Sequence, residues 1–169
     1  DKQNSISLQL NENGTICYSI LSHGTIAVRQ SLMGTELADS LYDFNSGLES
    51  AGTTETVIDE SYFLPTGKTS LYINKANESV FSFKNKHGKI LNIICRAYND
   101  GIAFRYVIES SSKIIVKKEN TRFNIPPNTL SWMMNYNPNY ESIYQERMLD
   151  TIESVSLSYP ALIDRKSVV

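Results

Sequence analysis

The chain has 169 residues, a length that suits one domain able to bury about two-thirds of its unfolded surface. Its 16 basic and 18 acidic residues leave a net charge of -2 with no long run of either sign, so the clustered basic excess that a nucleic acid or an anionic membrane needs is missing. Apolar runs are short, Ile93-Ile94-Cys95 being typical, and none approaches the ~20 residues of a membrane-spanning helix.

Alternation of apolar and polar residues governs the rest. Residues 6–10 alternate and stop at Asn11-Glu12-Asn13-Gly14; residues 15–21 resume, turn at Ser22-His23-Gly24 and return over 25–29. Three strands with turn residues every 8–12 positions point to a β-sandwich or barrel. Residues 34–53 lose the period and fill with Gly, Ser, Asp and Thr, which reads as a long surface excursion. Strands follow over 55–63, 70–74 and 79–84, separated by Pro65-Thr66-Gly67 and closed by Asn85-Lys86-His87-Gly88. Two strand-length runs then meet at Asn99-Asp100-Gly101, a hairpin signal that predicts a primed turn with positive φ. Period 2 over 93–98 and 103–106 sets Arg96 and Arg105 on the two arms of that hairpin. Residues 113–118 and 121–125 are the next strands, ended by Pro126-Pro127-Asn128. Residues 132–150 read as a polar, aromatic loop with a short helical turn at Met148-Leu149, and 152–158 as a last strand.

Chemistry-bearing groups are sparse. His23 and His87 each precede a glycine in a predicted turn, a solvated and structural setting. Cys17 and Cys95 fall inside strands and read as buried thiols, a disulfide being open to them if their strands are neighbours. No nucleophile elbow, phosphate-cradling glycine loop or Cys/His metal spacing occurs, and no carboxylate pair is legible as an acid and a base. Asn13-Gly14-Thr15 and Asn77-Glu78-Ser79 have the form of glycosylation acceptors but read more simply as a turn and a strand entry. Asp1 stands where Met would, so the start reads as processed or engineered. Glu141 lies among Asn135, Asn137 and Asn139, a setting for one ligand of a hard cation or for an ordinary solvated glutamate; calcium needs six to eight oxygens, so one carboxylate cannot hold it alone. Trp132, Tyr136, Tyr140 and Tyr144 are candidates for stacking on sugar faces, against the alternative that strands recruit tyrosine for packing. Arg96 and Arg105 could grip a carboxylate or sugar hydroxyl, or pair across the hairpin.

The segment Arg96-Ala97-Tyr98-Asn99-Asp100-Gly101-Ile102-Ala103-Phe104-Arg105-Tyr106 closely resembles the N-terminal module of glycoside hydrolase family 97. Ser31-Leu32-Met33-Gly34 is similar to the family's Ser-x-Leu-Gly step. Tyr72-x-Asn74-x-x-Asn77-Glu78 falls where the family has an aromatic/Asn/Glu segment, and Ser131-Trp132 followed by Glu141 resembles its Trp-then-Glu loop. Order and spacing agree over roughly residues 5–160. The resemblance implies an all-β, antiparallel β-supersandwich of galactose mutarotase-like type. Residues 1–169 would form a partial N-terminal domain, incomplete at the C-terminal end, with a catalytic TIM-type barrel downstream. The implied function is to wall the active site of an α-glycoside hydrolase and to lend Glu141 to a calcium ion otherwise held by barrel glutamates. The parent would act on α-linked glucosides or galactosides and be exported by a bacterium to the periplasm or medium, whereas the fragment alone would be inactive and bind calcium weakly or not at all. Trp132, Tyr136 and Tyr140 are the implied carbohydrate contacts. Unpaired edge strands of the fragment invite dimerisation. A stand-alone carbohydrate-binding sandwich or a structural β-module is the alternative.

Overall fold

A computed structural model describes residues 3–153 and 156–164, apart from the side chain of Tyr159. The chain falls into two compact units, residues 1–124 and 125–169. All sheets are antiparallel, and among the described residues the only helical turns are two short 3₁₀ turns.

The first unit begins with a three-stranded meander, β1 (Asn4–Leu10), β2 (Ile16–Ser22) and β3 (Thr25–Leu32), as the alternation predicts. The β1–β2 turn is held by Asn11, whose Oδ1 accepts the N–H groups of Asn13 and Thr15 at 3.0 and 2.9 Å. Gly14 is required there. Its φ is +65°, and an added Cβ would lie 2.7 Å from the backbone nitrogen of Leu48. His23 and Gly24 take φ of 50° and 77°, the primed two-residue turn that the twist of the flanking strands favours.

The 34–53 excursion is more ordered than its lost period suggested. It holds β4 (Thr35–Leu37), a 3₁₀ turn at Ser40–Tyr42 and the first residues of β5 (Glu49–Phe63). Tyr42, Phe44 and Leu48 are buried, so irregularly spaced apolar side chains anchor a segment that has no regular face to show. The Asn85 amide fastens it by donating to the carbonyls of Leu41 and Asp43.

β6 (Leu71–Lys84) is one strand where the sequence suggested two. Lys75-Ala76-Asn77-Glu78 are poor strand formers, but β5 pairs with them residue for residue from Val57↔Asn77 to Asp59↔Lys75, and tertiary pairing overrides propensity. With β7 (Ile90–Ala97) and β8 (Ile102–Ile108) it completes a sheet of order β5-β6-β7-β8. The central hairpin is present, but its turn is not the primed type: none of Asn99, Asp100 and Gly101 has positive φ. Tyr98 N–H instead donates to Gly101 O at 2.8 Å, closing a four-residue loop. The Asn4 amide donates to the carbonyls of Tyr98 and Asn99 and so fills the polar role that the turn leaves open.

β9 (Val116–Glu119) pairs with β4. Residues 121–125 are not a strand; Arg122 N–H reaches Leu32 O, and Asn124 meets Arg29 in a lone bridge beside β3. The core of this unit is one face of the four-stranded sheet, where register sets Phe83 beside Leu91 and Cys95 beside Phe104. Leu91 and Ile93 are 0% exposed. Tyr18 from the meander meets Phe104 with ring centroids 5.6 Å apart. Cys17 and Cys95 are buried free thiols, so the disulfide alternative does not hold.

The second unit is a three-stranded sheet of order β11-β10-β12, with β10 (Leu130–Asn135), β11 (Gln145–Met148) and β12 (Leu157–Asp164). The 132–150 loop expectation is thus half right. Strands occupy both its ends, and only 136–144 is loop. The helical turn expected at Met148-Leu149 appears as a 3₁₀ turn at Leu149–Thr151. The last strand lies later than 152–158 suggested; residues 154 and 155 of that expectation lie outside those described.

Candidate functional site: the loop between β10 and β11

The loop 136–144 is built by its asparagines. Asn137 Oδ1 accepts the N–H of Asn139 at 3.0 Å, its carbonyl accepts the N–H of Tyr140 at 3.0 Å, and its amide donates to Ser142 Oγ at 3.3 Å. An Asx turn of this kind lets a short polar side chain stand in for backbone pairing. Tyr140 consequently takes φ of 55°, a left-handed conformation that is strained for an aromatic residue. The base of the loop is fixed as Tyr144 Oη donates to Pro160 O at 2.9 Å.

Glu141 directly follows the strained residue and is exposed. Tyr136 and Tyr140 are exposed as well, so loop and carboxylate form one solvent-facing surface with aromatic rings and amides. Trp132 is placed differently. It is half-buried on β10, opposite Glu146 of β11 and Leu162 of β12, on the face away from the buried Ser131 and Met133. Tyr136, Tyr140 and Glu141 therefore belong to one loop, while Trp132 belongs to the strand that carries it.

The donor set bears on calcium. Asn137 has committed its side chain to the turn, and among the described residues no group of three His, Cys, Asp or Glu could hold a metal ion. An exposed carboxylate on a braced loop fits one donated ligand of a shared ion and does not fit a complete shell.

Elsewhere, polar chemistry is structural. Arg96 donates from Nε to Glu78 at 2.6 Å, directly across β6 and β7, and this bond raises the guanidinium pKa further. The arginine thus pairs with the neighbouring strand rather than across the predicted hairpin. With Ile94, Tyr98, Ala103 and Arg105 it lines a depression of about 170 Å³. Glu78 is the partner that spacing alone did not reveal; only the 14-residue length of β6 brings it opposite Arg96. Burial raises the Cys95 thiol to about 12 and the Tyr18 phenol to about 12, values suited to inert core groups rather than nucleophiles. His23 and His87 lie in exposed turns. Asp59 and Glu60 are engaged by Lys75 and Asn74 on the surface of the β5–β6 hairpin.

The fold defines an antiparallel all-β module, whose β10–β11 loop is braced by asparagine hydrogen bonds and carries an exposed carboxylate. The profile of the glycosyl-hydrolase 97 N-terminal family matches residues 1–169, and the chain belongs to that family. It is 24% identical over 133 residues to a probable retaining alpha-galactosidase of Streptomyces bingchenggensis (strain BCW-1), covering 79% of this chain and 20% of that protein. Among solved structures it is similar to a beta-arabinopyranosidase, with TM-score 0.85 and 23% identity over 96% of this chain and 28% of that one. A glycoside hydrolase family 97 enzyme variant from Pseudoalteromonas sp. strain K8 gives TM-score 0.82 and 19% identity, over 97% of this chain and 26% of the other. A glycoside hydrolase family 97 enzyme from that strain in complex with acarbose gives 0.73 and 20% identity, over 86% of this chain and 23% of that one. The chain therefore spans well under a third of each relative's length, and these likenesses establish the all-β antiparallel fold of the family's N-terminal domain. No helix of the described residues is long and apolar enough to cross a membrane.

Proposed function

We propose that the chain is the N-terminal module of a longer, exported bacterial α-glycosidase acting on α-glucosides or α-galactosides. In this reading it walls the active site of a downstream barrel and lends Glu141 to a calcium ion shared with that barrel. The observation that carries the reading is the family match along all 169 residues, joined to a braced loop that exposes the Glu141 carboxylate beside the rings of Tyr136 and Tyr140. A related protein described as a probable retaining alpha-galactosidase and family members solved with panose and acarbose support the substrate class. Calcium, when bound, supplies a fixed positive charge that orients acidic groups and substrate hydroxyls. The chain's own part is to hold the Glu141 carboxylate in place through the Asn137 turn and the Tyr144 tether. Tyr136 and Tyr140 offer faces for a sugar ring, with Trp132 supporting from the strand beneath. The isolated chain should be catalytically silent, and its open sheet edges invite reversible self-association.

The test is to assay nitrophenyl α-glucoside and α-galactoside with the isolated chain and with the longer polypeptide that carries it. Turnover by the longer form alone supports the reading. Turnover by the isolated chain would contradict it and would direct attention to Asp59, Glu60, Glu141 and Glu146.

A further inference from the structure

The meander β1–β2–β3 carries a groove of about 330 Å³ on its solvent side, within the ~300–1,000 Å³ that small-molecule clefts occupy. Along β1, Ser5, Ser7 and Gln9 are exposed, while Ile6, Leu8 and Leu10 are half-buried. A face kept polar by such alternation is built for contact with water rather than for burial in a core. Residues opposite one another in an antiparallel pair share a face. Register therefore sets Ser19 beside Ser7 and Leu21 beside Ser5, with Ile26 beside Leu21. Leu21 and Ile26 are 40% and 48% exposed, and they form an aliphatic strip within an otherwise polar groove.

β3 shapes the far wall of the groove. From Val28 to Ser31 it spends one residue more than β2 spends from Ile20 to Tyr18, and it does so again from Ile26 to Val28. A bulge re-aims side chains that a regular strand would send to opposite faces, and bulges recur next to active sites. Arg29 and Gln30, consecutive and inside the first bulge, both line the groove and are both exposed. Among the described residues, the side chains of Gln9, Arg29 and Gln30 make no hydrogen bond or ion pair, and no acidic side chain lines the groove. The Ser7 and Ser19 hydroxyls share one hydrogen bond at 2.9 Å, which leaves a proton and lone pairs unspent. Two amides, a guanidinium fork and two hydroxyls thus surround an aliphatic strip. A pyranose ring matches this set. Its C–H face lies on the strip, and its neighbouring hydroxyls meet planar groups that offer two donors, or a donor and an acceptor, side by side.

We propose that the groove binds one pyranose unit of a neutral α-linked oligosaccharide; the choice of sugar rests on the reading above. The groove shares no residue with the 136–144 loop, so substitution addresses the two independently. A small inorganic anion is the competing occupant, because the Arg29 charge is unpaired. An anion would gain nothing from Leu21 and Ile26, whereas a sugar uses both.

The experiment titrates the isolated 169-residue chain with maltotriose and, separately, with inorganic phosphate, following backbone amide NMR signals. Maltotriose at millimolar concentration should shift the amides of Gln9, Ser19, Leu21 and Arg29 along a saturable curve, and phosphate should not. Arg29→Lys keeps the charge and removes the planar fork, while Gln9→Ala removes an amide. Each should weaken maltotriose binding about tenfold and leave the melting curve unchanged, since both positions are exposed. Absence of a saturable maltotriose shift would overturn the proposal, as would shifts confined to the 136–144 loop. Phosphate binding that survives Arg29→Lys, without maltotriose binding, would also overturn it by identifying the groove as an anion site. Glycosidase activity of the longer polypeptide is read separately, so its absence would count against the functional reading and not against the groove.

Discussion

The β7–β8 hairpin, whose wording is the most specific to the family, and the 136–144 loop, which carries the candidate site, are built on opposite principles. The hairpin is defined by burial: Leu91, Ile93 and Cys95 lie in the core, and the Arg96 charge beside them is neutralised by Glu78. The loop is defined by exposure: asparagine hydrogen bonds hold its shape while Tyr136, Tyr140 and Glu141 face solvent. The hairpin thus records a packing constraint, and the proposed function assigns a binding constraint to the loop. Substitution separates them, because packing residues change stability and binding residues change only what the loop holds.

The largest effect should come from the core. Ile93→Ala removes three methyl or methylene carbons from a site with 0% exposure, and should lower unfolding free energy by about 2–5 kcal/mol. Denaturant melts of the isolated chain measure it. A loss under about 1 kcal/mol would mean that the hairpin is not the centre of the core.

Alkaline pH should act on the same region. Cys95 and Tyr18 hold their protons in the fold up to about 12, against ordinary values of 9.0 and 10.0. The native state therefore binds more protons than the unfolded chain between pH 9 and 12, and stability falls as pH rises through that window. It is fully present below pH 9. Each group contributes at most about 1.4 kcal/mol per pH unit. Cys95→Ala should remove the part of the decline that begins near pH 9 and keep the part that begins near pH 10. An unchanged profile in that variant would assign the decline elsewhere.

A smaller effect should follow from Tyr106→Phe. The phenol accepts the Gly34 N–H at 3.2 Å and shares a hydrogen bond with Thr121, joining β8 to the β3–β4 corner. Its loss should cost about 1–2 kcal/mol, the usual penalty for a half-buried donor left without its partner. Thermal melts decide it, and a neutral result would indicate that water replaces the phenol.

These cases also show what was legible in the sequence. The strands with clean alternation, such as β1, β7 and β8, lie close to where periodicity sets them, because each turns one face away from solvent more than the other and period 2 follows from the pleat. β6 was read as two strands because Lys75–Glu78 are weak formers, and the pairing partner that rescues them is not a local signal. The 34–53 stretch hid Phe44 and Leu48 because irregular backbone buries side chains without a period. Asn99-Asp100-Gly101 signalled the right hairpin but the wrong turn, since a distant Asn4 supplies the hydrogen bonds that stabilise a longer loop. At the candidate site, the gathering of Tyr136, Tyr140 and Glu141 on one loop was visible from adjacency alone. The separation of Trp132 from them was not, because it depends on the strand pairing that converts 130–135 into β10.

The smallest effect on stability should come from Glu141→Gln, at under about 0.5 kcal/mol for an exposed loop position. That same change is the most direct test of the account. Calcium titration of glycosidase activity, in the longer polypeptide with and without the substitution, reads it out. The substitution keeps the side-chain volume and removes one charge from the ion's surroundings, so the account predicts weaker calcium dependence and lower activity at limiting calcium with an unchanged melting curve. Superimposable titrations would contradict it and return Glu141 to the ranks of solvated loop glutamates.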